Sequence, residues 1–193
     1  PVFGTGELVI TVLAMSDTEG VIIKIESDNL PAGSKLITIY GGASNARFFR
    51  NGDLGVDDPE AFSLKPEASK GNIFTIQNES FQLNYGDGTR GGPILMSGVF
   101  SKGTTLKTGT PYKMNLSESA SYVAIKIKDN KSYSPNMLSE LFDNAEQKRA
   151  GIASSVVINT PDPYFNTLGG VLSIAADGIW DDNTEVWQHG AVG

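Results

Sequence analysis

Glu7-Leu-Val-Ile-Thr-Val-Leu-Ala-Met15 and Val21-Ile-Ile-Lys-Ile-Glu26 decide the fold class. Both are short, apolar and rich in β-branched side chains, which pack well on a pleated surface and lose rotamer freedom in a helix. Asp17-Thr-Glu-Gly20 lies between them and supplies turn formers, so the pair predicts a β-hairpin. The same grammar recurs downstream. Lys35-Leu-Ile-Thr-Ile-Tyr40 predicts a third strand, closed by Gly41-Gly42. Asn72–Gln77 and Ser80–Tyr85 predict a second hairpin across Asn78-Glu79, with Phe81, Leu83 and Tyr85 alternating with polar neighbours as a half-buried strand requires. Ile94–Phe100 and Ser121–Lys128 continue the series; Tyr122, Ala124, Ile125 and Ile127 are the apolar members of the last.

Many short strands separated by turn signals define a mainly β chain, a β-sandwich or barrel. Residues 41–70 interrupt the series with Gly, Asn, Asp and Pro and predict a long loop, a common place for function. After residue 134 the hydrophobic period changes. Leu138, Leu141, Phe142, Ala145 and Ile152 recur at helical spacing, with Ser134-Pro135 as start and Gly151 as stop. Val156–Asn159 predicts a short strand, and Thr160-Pro-Asp-Pro163 breaks the chain. A second helix follows over 164–179, with Phe165, Leu168, Val171, Leu172, Ala175, Ala176 and Ile179 on one face. The predicted organisation is a β-sandwich domain over 1–134, a linker helix and short strand over 135–159, and the start of a helical domain over 160–193.

Composition narrows the function classes. Apolar residues make up 39% of the 193, enough for a core and too many for wholesale disorder. The net charge of −7, with 15 Lys and Arg scattered along the chain, argues against nucleic acid and anionic membrane surfaces as partners, because both need concentrated positive charge. A neutral ligand such as a sugar is compatible with it. No apolar run reaches the roughly 18 residues of a membrane span. With no cysteine and the single histidine His189, thiol chemistry is excluded and a transition-metal site is not expected; no cofactor is predicted. The chain opens on Pro1 rather than Met, which suggests a processed or engineered start.

Four segments invite a functional reading. Gly86-Asp-Gly-Thr-Arg-Gly91 fits the dinucleotide pattern G-x-G-x-x-G, but Gly92-Pro93 and a strand follow where a phosphate-binding helix would have to begin, so a hairpin loop is expected. Asn51, Asp53, Asp57, Asp58 and Glu60 carry enough carboxylate for calcium. Val56 and Phe62 occupy the places where an EF-hand needs Gly and Glu, so a solvated loop is expected. Asp181, Asp182 and Glu185 invite comparison with the paired acids of glycosidases, yet they also suit the first turn of a helix starting near Asn183. Trp180 and Trp187 are the chain's two tryptophans. Trp187, Gln188 and His189, with Asp181 and Glu185, form the candidate substrate-binding set, since aromatic faces stack on sugars while amide and imidazole groups bond hydroxyls; the competing reading is that the tryptophans fill core between the sandwich and the helices. Trp180 continues the apolar face of the second helix and is expected in the core.

Thr160-Pro-Asp-Pro-Tyr-Phe-Asn166, the run Leu168–Trp180 and Gln188-His-Gly-Ala191 resemble the DUF4450 family of Bacteroidetes-type bacteria. Gly41-Gly-Ala-Ser44, Arg50-Asn-Gly-Asp-Leu-Gly55 and Phe62-Ser-Leu-Lys-Pro-Glu67 match it too, so the likeness covers most of residues 40–193. The resemblance implies a secreted or periplasmic protein similar to six-hairpin glycosidases, in which a β-supersandwich precedes an (α/α)₆ barrel. On that basis residues 136–152 are the linker helix, 164–179 the first barrel helix, and the barrel is truncated at Gly193. The resemblance assigns no catalytic residue. The implied function is a non-catalytic N-terminal β-sandwich region of a glycoside-hydrolase-like protein of complex glycan degradation, packed on its helical barrel. The alternative is a stand-alone carbohydrate-binding or purely structural β-sandwich module.

Overall fold

A computed structural model describes residues 2–4, 6–31, 34, 36–38, 72–84, 95–102, 104, 106, 112–114, 120–127, 129–182 and 184–187. The chain divides into two compact units, Pro1–Phe142 and Asp143–Gly193. The boundary falls inside the first α-helix.

The first unit is built on strands β1 (Val2–Phe3), β2 (Gly6–Ala14), β3 (Gly20–Asp28), β4 (Leu36–Thr38), β5 (Ile73–Gln77), β6 (Ser80–Asn84), β7 (Leu95–Phe100), β8 (Tyr112–Met114) and β9 (Ser121–Ile127). Seven of them form one antiparallel sheet in the order β1-β2-β3-β9-β7-β6-β5, while β4 and β8 make a separate two-stranded ladder. The two hairpins expected from sequence are present. β2 and β3 pair from Glu7↔Asp28 to Ala14↔Val21, and β5 and β6 pair from Ile73↔Asn84 to Gln77↔Ser80. Asn78 opens the tight turn of the second with φ of 51°, a left-handed conformation that Asn tolerates better than most residues.

Non-local pairing completes the sheet. β9 enters between β3 and β7, pairing Ile22 with Ala124 on one side and Val99 with Ala124 on the other. Residues directly opposite share a face, so the register sorts the side chains. One face carries the core cluster of Leu8, Ile25, Phe81, Leu83, Phe100 and Val123, joined by Leu106, with Leu30, Leu36, Phe74 and Ile76 packed on it. Leu36 of β4 thus supplies part of a cover over this face.

Gly98 is a keystone of that core. It lies opposite Phe81, and a Cβ there would come within 2.2–2.9 Å of the Phe81 ring carbons. The fully buried ring fills the space that a side chain would take, and it also meets Phe74 and Phe100 at centroid distances of 5.9 and 6.1 Å. The opposite face carries Ile22, Lys24, Tyr122, Ala124 and Lys126 by the same register. The first turns of the first helix cover part of it: the Phe142 ring lies 5.9 Å from Tyr122 and 5.5 Å below the Lys24 ammonium.

Helix α1 (Leu138–Ala153) is preceded by a 3₁₀ turn at Pro135–Met137. Ser134 is extended ahead of this turn, but its hydroxyl does not cap it. The expected stop at Gly151 is corrected: the helix runs through Gly151 to Ala153, because that glycine does not take the left-handed conformation that ends helices. The Ser154 and Ser155 hydroxyls instead donate to the Gly151 carbonyl. The strand expected at 156–159 is an irregular connection. It lies against α2 (Pro163–Gly178), where a Cβ at Gly169 would stand 2.5 Å from the Val156 carbonyl oxygen. α2 starts as its sequence predicts, with Asp162 accepting from the Tyr164 and Phe165 amides and Pro163 in the first turn. Arg149 of α1 donates to Asp177 of α2 at 2.8 Å.

Gly98→Ala should destabilise the first unit by about 1–3 kcal/mol through overpacking against Phe81. Phe81→Ala should cost more, about 3–5 kcal/mol. Denaturant unfolding followed by far-ultraviolet circular dichroism checks both; an unchanged midpoint for Gly98→Ala would refute this packing.

Candidate functional site

The candidate binding residues of the C-terminal segment are brought together in part. β10 (Trp180–Asp181) and β11 (Val186–Trp187) pair as a small hairpin, with Trp180 opposite Trp187. Asp181 and Glu185 therefore sit at a hairpin turn, not in the first turn of a helix; the Glu185 amide donates to the Asp181 carbonyl at 2.8 Å and Glu185 has φ of 53°. The two tryptophan rings meet edge to face at 4.8 Å, a favoured aromatic geometry. Trp180 is not core: it is 38% exposed and its indole N–H donates to Asp182. Trp187 is 63% exposed. Gln188 and His189 lie outside the described residues, as do the acidic loop 51–60, the glycine-rich segment 86–91 and the long loop 43–70. The strands flanking 86–91, β6 and β7, pair directly with each other.

A second constellation, in the first unit, was not anticipated from sequence. It occupies the sheet face opposite the Phe81 core. Gln82, Ser97 and Lys126 stand side by side across β6, β7 and β9, because Gln82 pairs with Ser97 and Ser97 with Lys126. The segment after β9 folds over this row. Asp129 receives hydrogen bonds from the Lys126 ammonium, the Thr18 hydroxyl and the Lys131 amide. The Lys126 ammonium also lies 5.3 Å from the centre of the Tyr133 ring. Tyr133 donates to Asp17, 2.9 Å from its Oδ2, and Lys131 pairs with the same carboxylate at 3.2 Å. Together these groups tie the β2–β3 turn to the strand end of β9. Asp129, Lys131, Ser132 and Tyr133 line one wall of a cleft of about 180 Å³ whose floor is the polar row, Ser80 included, together with Val99 and Ala124.

The electrostatics follow from the packing. Lys126 is only 5% exposed, and a charge so buried needs a partner. Asp129 is that partner: its bond from Lys126, then those from Thr18 and Lys131, hold its carboxyl well below the usual carboxylate range. Tyr133 moves the other way. Burial first, and then the bond to Asp17, push its phenol well above its ordinary value and keep it neutral. One signal in the sequence points here: Lys126 interrupts an apolar strand and is followed three residues later by an aspartate. Among the described residues, no three His, Cys, Asp or Glu side chains are grouped to hold a metal ion, and no helix is long and apolar enough to cross a membrane.

A family model described as a domain of unknown function, DUF4450, matches residues 1–148, and the chain belongs to that family. The matched span holds the whole seven-stranded sheet and every residue of the cleft, and it ends within α1. The Thr160–Trp180 and Gln188–Ala191 blocks lie beyond it. Comparison with curated proteins and with solved structures finds no match.

The depressed Asp129 pKa contributes stability above the unfolded value of about pH 4 and loses it as the pH falls below that value. The stability difference between the wild type and Asp129→Asn, measured by urea unfolding, should therefore be largest near neutrality and shrink in acid. The raised Tyr133 pKa contributes below about pH 10 and is lost above it. Tyr133→Phe should remove part of the alkaline loss.

Proposed function

We propose that this chain is the N-terminal, non-catalytic region of a larger glycoside-hydrolase-like protein acting on complex glycans. In this reading the sheet, with β4 and β8 as the beginning of a second layer, is a supersandwich-like domain, and α2 with the β10–β11 hairpin begins an (α/α)₆-type barrel. The observation that carries it is the apolar face of α2. Phe165, Leu168, Val171 and Leu172 are exposed along it, and Ile179, Trp180 and Trp187 prolong the exposure. A helix that shows so much apolar surface to water is built to be covered. In a barrel of paired helices the next helices supply that cover. The opposite side of α2 is already used, since Gly169 and Gly170 lie against residues 153–156.

The family resemblance supports the same reading: it implies a periplasmic or secreted protein that meets glycans through its full length. Asp181, Glu185, Trp187, Gln188 and His189 would then lie near the entrance to the substrate cleft, with the acids of catalysis further along the chain. The 43–70 loop is a candidate contributor to the same cleft.

The test compares this 193-residue chain with the full-length gene product. Val171→Asp should leave the stability of the short chain nearly unchanged, because Val171 is already 60% exposed there. In the full-length protein it should cost several kcal/mol as a buried, unpaired charge. Acrylamide quenching of tryptophan should also be weaker for Trp180 and Trp187 in the longer protein. Equal effects of Val171→Asp in both proteins would refute the packing. A full-length protein that releases no sugar from a broad polysaccharide panel would refute the glycosidase reading.

A further inference from the structure

We propose that the cleft on the sheet face of the first unit is a binding site for a small, neutral, polyhydroxylated molecule about the size of one sugar ring. This stands on the cleft alone and does not depend on the barrel reading.

Size comes first. At about 180 Å³ the cleft is smaller than the roughly 300–1,000 Å³ of sites for drug-sized ligands, and it has room for several water molecules at about 30 Å³ each. That space suits a single monosaccharide or polyol. Charge comes second. Lys126 is matched by Asp129 and Lys131 by Asp17, so the two ammonium groups are already neutralised. An anion would have to compete with fixed carboxylates, whereas a neutral guest would not.

Hydrogen-bonding capacity comes third. The side chains of Gln82, Ser97 and Ser132 line the cleft and have no hydrogen-bond partner among the described residues. An amide offers both donors and acceptors, and a hydroxyl offers both as well, which matches the dual character of a sugar hydroxyl. Lys126 adds a buried donor, since Asp129 takes only one of its three protons. The backbone that carries these groups is fixed by the sheet and by the segment that follows it. Gln82, Ser97 and Lys126 project from three adjacent strands of one ladder, and the Asp129–Tyr133 segment is fastened to the β2–β3 turn. A preorganised site of this kind loses little entropy when a ligand arrives.

The experiment is a titration of the 193-residue chain with D-glucose, D-galactose and D-mannose, followed by backbone amide chemical shifts, with D-glucuronate and inorganic phosphate as charged comparators. The expected result is saturable binding of at least one neutral hexose at millimolar concentration, with shifts confined to β6, β7, β9 and residues 129–133. Gln82→Leu and Ser132→Ala are surface changes that should leave the melting temperature unaltered and weaken binding about tenfold or more. Trp187→Ala should bind as the wild type does. Failure of every neutral hexose to saturate would overturn the proposal. So would binding of the anions alone, or binding that survives Gln82→Leu and disappears in Trp187→Ala. Val171→Asp does not touch this cleft, so a failure of the barrel reading leaves the outcome here separate.

Discussion

Everything in the first unit depends on β9 finding its place between β3 and β7. Until residues 121–127 arrive, two hairpin-bearing halves of the sheet each present an open edge of unpaired amides and carbonyls. β9 satisfies both edges at once, bringing Ile22 and Val99 to either side of Ala124. The Ser101 hydroxyl accepts from the Tyr122 amide and extends the β7–β9 ladder by one residue. Such closure joins segments a hundred residues apart, so it is entropically expensive and has to be repaid by burial. The Phe81, Phe100 and Val123 cluster is that repayment, and it forms only when all three strands are in register.

The same insertion creates the polar face. Register is shared by both sides of a sheet, so the alignment that buries Val123 also sets Lys126 beside Ser97 and Gln82. A lysine at this position would be costly without compensation. Asp129 neutralises it, the Tyr133 ring accepts its charge from above, and Asp17 in turn orders Tyr133 and Lys131. The result is a set of paired charges bordering a cleft in which the side chains of Gln82, Ser97 and Ser132 have no hydrogen-bond partner among the described residues.

The second unit obeys a different balance. Asp162, Pro163 and the Gly169–Gly170 pair make α2 start cleanly and approach residues 153–156 closely. Its other face is rich in apolar side chains that remain in contact with water, Tyr164 at 87% exposure among its neighbours. A helix is stabilised mainly by packing its apolar stripe, so this element carries more hydrophobic surface than the chain itself uses.

Local sequence determined the elements. Apolar, β-branched runs located β2, β3, β5, β7 and β9, period-two alternation marked β6, and turn chemistry placed both hairpins, because strand and turn propensities act over a few residues. The Asp162-Pro163 start of α2 was legible for the same reason. Local expectations failed where other contacts competed: Gly151 stayed helical and the serines after it terminate the helix, the 156–159 stretch lies against α2 without forming a strand, and the acids at 181–185 and Trp180 entered a hairpin once Trp180 paired with Trp187. What no local pattern contains is strand order. Only the tertiary structure set β9 between β3 and β7, drew Asp17 and Tyr133 together across more than a hundred residues, and so assembled the cleft. Side-chain alternation says which residues share a face of one strand; which strands lie side by side is decided by the burial and hydrogen bonding of the whole sheet.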